Sequence, residues 1–484
     1  MSKPDRIFDR DREWRSLIDF VADDRPEATL GVVSGRRRQG KTYLLRALAQ
    51  ATGGFFFEAV QGTEAESLRM LGAELAAYLR SPAPLSFGSW DDAIGALFSL
   101  GDDKPLAVII DEFPYLVDAS PALPSLLRRA MDRHGPSQGS GSRIRMLLCG
   151  SAFSVTGRLL AGNAPLRGRA GLELVLNPFG YAESARFWGL SDPRLAVLVH
   201  SVVGGTPAYR RQYVRDDAPA DLGDFDDWVA RAVLNPDRPL MREARYLLAE
   251  ETDIRDPALY HSVLAAIASG NARWGAIASY IGRKSPEIAH PLKVLEDFGL
   301  IIKDEDAFRS GRATYRITEP LIAFYETTMR QRFADLEEGL GNVVWADSRQ
   351  QFSSAVAGPH FESVCRDFAR TRGRDLFGRP VGRVAAGVVA DPARHEQIEI
   401  DVAVLGPTVP GEPRPLISLG AAKWGDTMDL RHLARLRRAR DLLAASFDTS
   451  DTVLACYSRS GFGAELRAAA GADVLLAGLE AIYS

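Results

Sequence analysis

The run Gly35-Arg36-Arg37-Arg38-Gln39-Gly40-Lys41-Thr42 follows an apolar stretch, LGVVSG (30–35), and opens a helical pattern at Lys41. A G-x-x-x-x-G-K-[ST] octapeptide in that position constrains the chain more than any other feature. It demands a buried strand, a turn of inward-facing N–H groups and a helix start in immediate succession. Gly35 and Gly40 permit the turn, and the helix dipole favours an anion at its start. The pattern therefore predicts a loop that wraps the phosphates of ATP. Lys41 is placed to neutralise the β- and γ-phosphates, and the Thr42 hydroxyl to ligate Mg²⁺. Arg36, Arg37, Arg38 and Gln39 fill the variable positions, the three arginines as cradle residues or as plain surface charge.

Composition sharpens the reading of Lys41. Of 59 cationic side chains among 484 residues, 52 are Arg and only 7 are Lys. Arg is a flat fork and Lys a compact point charge, so a site that needs the ammonium cannot drift to Arg. One of the seven, Lys41, falls where phosphate chemistry asks for a point charge.

A second apolar strand, Leu106–Glu112 (LAVIIDE), ends in paired acids. Asp111 is placed to hold Mg²⁺, and Glu112 to orient or deprotonate an attacking water, which favours hydrolysis over mere binding. Strand IRMLLCG (144–150) leads to Ser151, read either as a sensor of the γ-phosphate or as a helix cap. In the loop before the strand LELVLNPF (172–179), Arg169 is a candidate arginine finger acting across a homo-oligomer. Its plainer reading is a solvated surface Arg.

Apolar runs alternating with helical patterns predict an α/β domain with a mostly parallel sheet over 1–180, a P-loop ATPase core. Strand signals then vanish, which gives a helical lid over 181–254. Residues 255–325 read as three helices and a hairpin, a winged helix, with a helical connector over 326–347 and a further α/β domain over 348–484. The winged segment holds 9 Lys plus Arg against 8 Asp plus Glu. That balance favours a packing module over a DNA reader, since phosphate binding needs concentrated positive charge. GPSQGSGS (135–142) reads as a flexible loop.

These residues resemble the archaeal-type P-loop ATPase family, an AAA-like and signal-transduction branch. The matching stretches are FDRDREWRSL, GRRRQGKT, LAVIIDEF, LLCGSA, APLRGR, LNPFGYAES and Gly204-Gly205-Thr206-Pro207 followed by Tyr209. The tetrapeptide holds no Arg, which leaves Arg210 as the nearest counterpart of a second sensor. The resemblance further implies that 348–484 is a restriction-endonuclease-like PD-(D/E)xK domain. Its matching residues are Glu362 on a helix, Asp401 on a strand and Lys423 on the next, with Ala421 where a second acid belongs. Clustered carboxylates hold a hard cation and Ala offers none, so the expectation is a degenerate nuclease remnant. Residues 344–484 carry 17 cations and 17 acids, apart from a basic stripe at Arg431, Arg435, Arg437, Arg438 and Arg440.

No apolar run approaches the roughly 20 residues that span a bilayer, and the charged start does not resemble a signal peptide, so the expectation is a cytoplasmic protein that contacts no membrane. Cys149, Cys365 and Cys456 lie too far apart for a disulfide framework or zinc knuckle. The resulting reading is a Mg²⁺-dependent, ATP-hydrolysing regulatory switch that docks a protein partner. Its alternative is an ATP-driven enzyme that processes nucleic acid with DNA as partner.

Overall fold

The computed structural model describes residues 1–134, 141–151, 159, 164–249 and 256–484. Residues 135–140 of the expected flexible loop at 135–142, Ala152 of LLCGSA, and residues 250–254 at the end of the expected lid lie outside the described residues. Two units are distinct, Met1–Pro178 and Phe179–Ser484.

Burial on both faces decides which strands occupy the middle of the first sheet. β1 (Thr29–Ser34), β3 (Leu106–Asp111) and β4 (Ile144–Cys149) read as nearly continuous apolar runs and are buried almost throughout. Such runs need helices on both sides. β2 (Phe55–Glu58) and β5 (Ala170–Val175) alternate buried and exposed residues, as edges do. The order is β2-β3-β4-β1-β5, and every pairing is parallel. Helices α1 (Asp11–Val21), α2 (Lys41–Thr52), α3 (Glu64–Leu79), α4 (Trp90–Ser99), α5 (Phe113–Ala119) and α6 (Leu123–Arg133) belong to this unit. The start of α3 is set by Thr63, whose hydroxyl accepts the Glu66 N–H at 3.3 Å.

One central-strand residue breaks the apolar pattern. Arg145 on β4 is fully buried, and its guanidinium donates to the carbonyls of Asp23, Arg25 and Glu27. It binds the α1–β1 connection to the sheet. Burial lowers its pKa, with the carboxylates of Asp23 and Glu27 opposing that shift.

The second unit begins with helices α7 (Tyr181–Trp188) and α8 (Pro193–Val203). Gly204-Gly205-Thr206-Pro207 has a steric reason: a Cβ on Gly205 would stand 1.8 Å from the Phe179 carbonyl oxygen. The Phe179 N–H in turn donates to the Gly205 carbonyl at 2.9 Å. Arg210 stacks on Phe187 and Trp188 and pairs with Asp216 at 2.9 Å, so its guanidinium is engaged inside this helical layer. A further helix, α9 (Pro239–Ala249), precedes the next group.

Three helices follow, α10 (Pro257–Ala268), α11 (Trp274–Tyr280) and α12 (Ala289–Asp297), and then the antiparallel hairpin of β6 (Ile301–Glu305) and β7 (Ala313–Ile317). Helices α13 (Gly341–Phe352) and α14 (Gly358–Thr371) lead to a mixed sheet of β8 (Arg383–Asp391), β9 (Glu396–Leu405), β10 (Leu416–Lys423), β11 (Val453–Ser458) and β12 (Val474–Gly478). The order is β12-β11-β10-β9-β8, with β8, β9 and β10 antiparallel and β10, β11 and β12 parallel. Helix α15 (Leu430–Leu443) packs on it, and its Arg438 forks onto buried Asp391 at 2.7 and 2.8 Å.

The tip of the β6–β7 hairpin is docked on the edge strand β8. The Ala307 N–H donates to the Ala386 carbonyl at 2.9 Å, and Asp306 Oδ2 accepts the Val388 N–H at 3.2 Å. Phe308 meets Phe447 edge-on and lies where a Cβ on Gly387 would stand, 2.6 Å away. The contact covers an otherwise open sheet edge. Among the described residues no helix is long and apolar enough to cross a membrane.

Candidate phosphate-binding site

The carboxyl ends of β1, β3 and β4 lie side by side, and the loops leaving them bring the predicted residues together. At the end of β1 the backbone turns through Gly35, with φ of 148°. A Cβ there would sit 2.4 Å from the Leu176 carbonyl oxygen, so no other residue fits. Gly40 caps α2 in the left-handed region, with φ of 84°, and nothing lies within 4 Å of where its Cβ would be. The first glycine is thus required by packing, and the second leaves open space at the helix start.

Gly35→Ala is accordingly expected to destabilise the first unit by at least about 1–3 kcal/mol, the cost of forcing a disfavoured backbone, before any clash is counted. Thermal unfolding measures it, and an unchanged midpoint contradicts the packing seen at Leu176.

Lys41 is buried, and its ammonium donates to the carbonyls of Gly35 at 2.8 Å and Arg36 at 2.9 Å. Burial lowers its pKa, and the Glu112 and Asp111 carboxylates oppose that shift. Thr42 follows it as the second residue of α2, half-buried. Arg36, Arg37 and Arg38 are half-buried and Gln39 is buried, so none of the variable positions is a fully solvated side chain. Arg38 adopts φ of 68°, a left-handed conformation uncommon for a residue with a Cβ.

Asp111 ends β3 with no exposed surface. Its Oδ1 accepts the Glu112 N–H at 3.0 Å, while among the described residues Oδ2 has no hydrogen-bond partner. A buried carboxylate oxygen without a donor is costly in an apolar interior and suits a cation. Glu112 takes a left-handed φ of 51° at the start of α5. Burial raises its pKa, the neighbouring Asp111 charge adds to the shift, and Lys41 and Arg37 oppose it.

Two residues at this edge escaped the sequence reading. Cys149 ends β4 fully buried beside Asp111, and burial pushes its thiol pKa well up, the Asp111 charge adding to the effect. Glu58 ends β2 in register with Asp111 and pairs with Arg46. The available signal was positional: both close strands that flank known site strands. Ser151 follows β4 and is buried. Arg169 does not stand free; it pairs with Asp132 at 2.7 Å, both half exposed.

In the second unit the structure brings Glu362, Asp401 and Lys423 into one neighbourhood. Asp401 Oδ2 accepts the Ala422 N–H at 2.8 Å and lies 3.8 Å from Lys423 Nζ. Burial pushes the Glu362 pKa up to about 7, with the Asp401 charge adding to the shift. Arg366 donates to the Asp401 carbonyl at 2.9 Å. Among the described residues no group of three or more His, Cys, Asp and Glu is arranged to hold a metal ion.

The parallel sheet with a glycine-rich loop between β1 and α2 is the P-loop NTPase fold. Among solved structures, a Walker-type ATPase of Pyrococcus abyssi superposes with a TM-score of 0.50 at 22% identity, over 66% of this chain and 96% of its own, a likeness that shows the fold. ORC2 of Aeropyrum pernix, solved with ADPNP and ADP, reaches a TM-score of 0.41 at 17% identity over 72% and 97%. An uncharacterized protein of Methanocaldococcus jannaschii is 25% identical over 368 residues, 75% of this chain and 77% of that protein. No protein-family model matches the chain.

Proposed function

We propose that the chain is a Mg²⁺-dependent, ATP-binding and ATP-hydrolysing regulatory switch. The observation that supports it best is the donor set at one strand edge: a buried ammonium at Lys41, a buried carboxylate oxygen on Asp111 without a donor among the described residues, and open space at Gly40. These fit a phosphate chain and a hard cation. The loop from Gly35 to Gly40 and Lys41 hold the phosphates, Thr42 and Asp111 hold the metal, and Glu112 takes a proton from the attacking water. When bound, Mg²⁺ supplies charge neutralisation at the phosphates. Ser151 senses the phosphate end. An exposed ion pair such as Arg169–Asp132 holds its partners by under about 1 kcal/mol, which leaves Arg169 available to a neighbouring copy.

The three helices and hairpin are read as a winged helix serving as a packing module, because the hairpin tip is spent on β8. The C-terminal sheet is read as a degenerate nuclease-like domain, because Ala421 stands where the nuclease pattern places its second acid. The purified chain is expected to release phosphate from ATP only with Mg²⁺ and to leave supercoiled DNA intact under the same conditions. Nicking that disappears in both Asp401→Ala and Lys423→Ala would overturn the degenerate reading.

A further inference from the structure

The turn between α11 and α12 presents an aromatic and cationic surface that the nucleotide reading does not use. Trp274, the first residue of α11, is 38% exposed, and Tyr280, its last, is 51% exposed. Trp274 is held in place: its Nε1 donates to the Ser285 carbonyl at 2.8 Å, which satisfies the only polar atom of the side chain. What remains in solvent is an orientated apolar ring. The Tyr280 hydroxyl lies 3.5 Å from Ser269 Oγ. Six residues of helix set the two rings roughly 9 Å apart along the axis and roughly 120° apart around it, so a strand that reaches both wraps the helix end and lays a separate base on each.

Charge around the rings departs from that of the segment as a whole. Residues 270–290 hold three cations, Arg273, Arg283 and Lys284, and a single acid, Glu287. All three cations are exposed, and Glu287 is 3.7 Å from Arg283, so Arg273 and Lys284 face solvent outside that pair. On α12 the exposed Lys293 is tied to Asp297 at 2.6 Å, and the hairpin tip is tied to β8. An orientated indole, an exposed phenol and two cations outside any ion pair among the described residues are the chemistry that holds unpaired bases, because every base has a π-face and the backbone supplies the charge.

We propose that the α11–α12 turn binds single-stranded nucleic acid, with bases stacked on Trp274 and Tyr280 and phosphates contacted by Arg273 and Lys284. The inference does not depend on the nucleotide reading. Its test is fluorescence anisotropy of the full chain with a labelled oligothymidylate of about twelve nucleotides and with a duplex of the same length. The single strand is expected to bind more tightly. Trp274→Ala and Tyr280→Ala should each weaken it at least about fivefold, while Trp274→Phe retains most of the affinity. Arg273→Ser with Lys284→Ser should weaken binding and flatten its salt dependence. An unchanged thermal midpoint certifies each variant as folded, and Tyr280→Ala stands in should Trp274→Ala fail that check. Three outcomes overturn the proposal: no binding at low salt, a preference for the duplex, or affinity that survives both aromatic truncations.

Discussion

Lys41→Ala abolishes measurable ATP binding, the largest effect expected of any single substitution in this chain. The side chain is buried at the start of α2, and its ammonium is satisfied by two carbonyls of its own loop. Neutral carbonyls are weak partners for a cation compared with phosphate oxygens, so the ammonium has stronger bonds to gain when an anion arrives. At an effective dielectric of about 20, a unit charge 4 Å from another contributes about 4 kcal/mol, or about three decades in dissociation constant. Truncation also leaves the Gly35 carbonyl without its donor, which loosens the loop that must face the ligand. Lys41→Arg should fail nearly as badly, because a planar fork does not fit the space of a point charge. Isothermal calorimetry with ATP and Mg²⁺ decides the matter; submicromolar affinity retained by Lys41→Ala removes the site assignment.

How far the sequence discloses this arrangement depends on what each part asks of its residues. The strand, loop and helix around Gly35–Thr42 were legible because the backbone itself requires particular residues, as the 2.4 Å approach of a Gly35 Cβ to Leu176 makes plain. Central strands were legible for a similar reason, since burial on both faces leaves an unbroken apolar run. The short strand Val474–Gly478 leaves no clear signal, being half-buried with little contrast against its neighbours. Docking of the hairpin tip on β8 left no pattern in the sequence, because much of it runs through backbone groups that every residue possesses.

Arginine shows the limit from the other side. An excess of 52 Arg over 7 Lys says nothing about which guanidinium is inside. Arg145 braces a loop through backbone carbonyls, Arg366 reaches the Asp401 carbonyl, Arg438 forks onto Asp391, and Arg210 lies over the Phe187 and Trp188 rings. Each use depends on the flat fork, and each is a tertiary fact. Scarce lysine carried more information because a rare residue at a motif position is hard to place by accident. Which residues meet at the strand edge could thus be anticipated; that Cys149 is packed against Asp111 could not, since nothing in a buried apolar run marks its last residue.

Glu112→Gln separates binding from turnover. Glu112 is held in a left-handed conformation at the junction of β3 and α5, and its N–H donates to Asp111 Oδ1. A residue with a Cβ keeps that conformation only where its surroundings enforce it. Gln has the same length and branching, so the substitution preserves the packing and the backbone bond while removing the proton acceptor. It also removes a negative charge beside Lys41 and Asp111, which favours binding of an anionic ligand. Nucleotide affinity should therefore hold or rise, whereas phosphate release in a single turnover should fall by about 10²–10⁴-fold, the usual contribution of a positioned base. Glu112→Asp is the informative companion. It keeps the carboxylate and tolerates the left-handed backbone better, but retracts the oxygen by one methylene, so it should recover part of the rate. Phosphate release by Glu112→Gln at the parental rate, with binding intact, would exclude Glu112 as the base and leave water activation to another group at this edge.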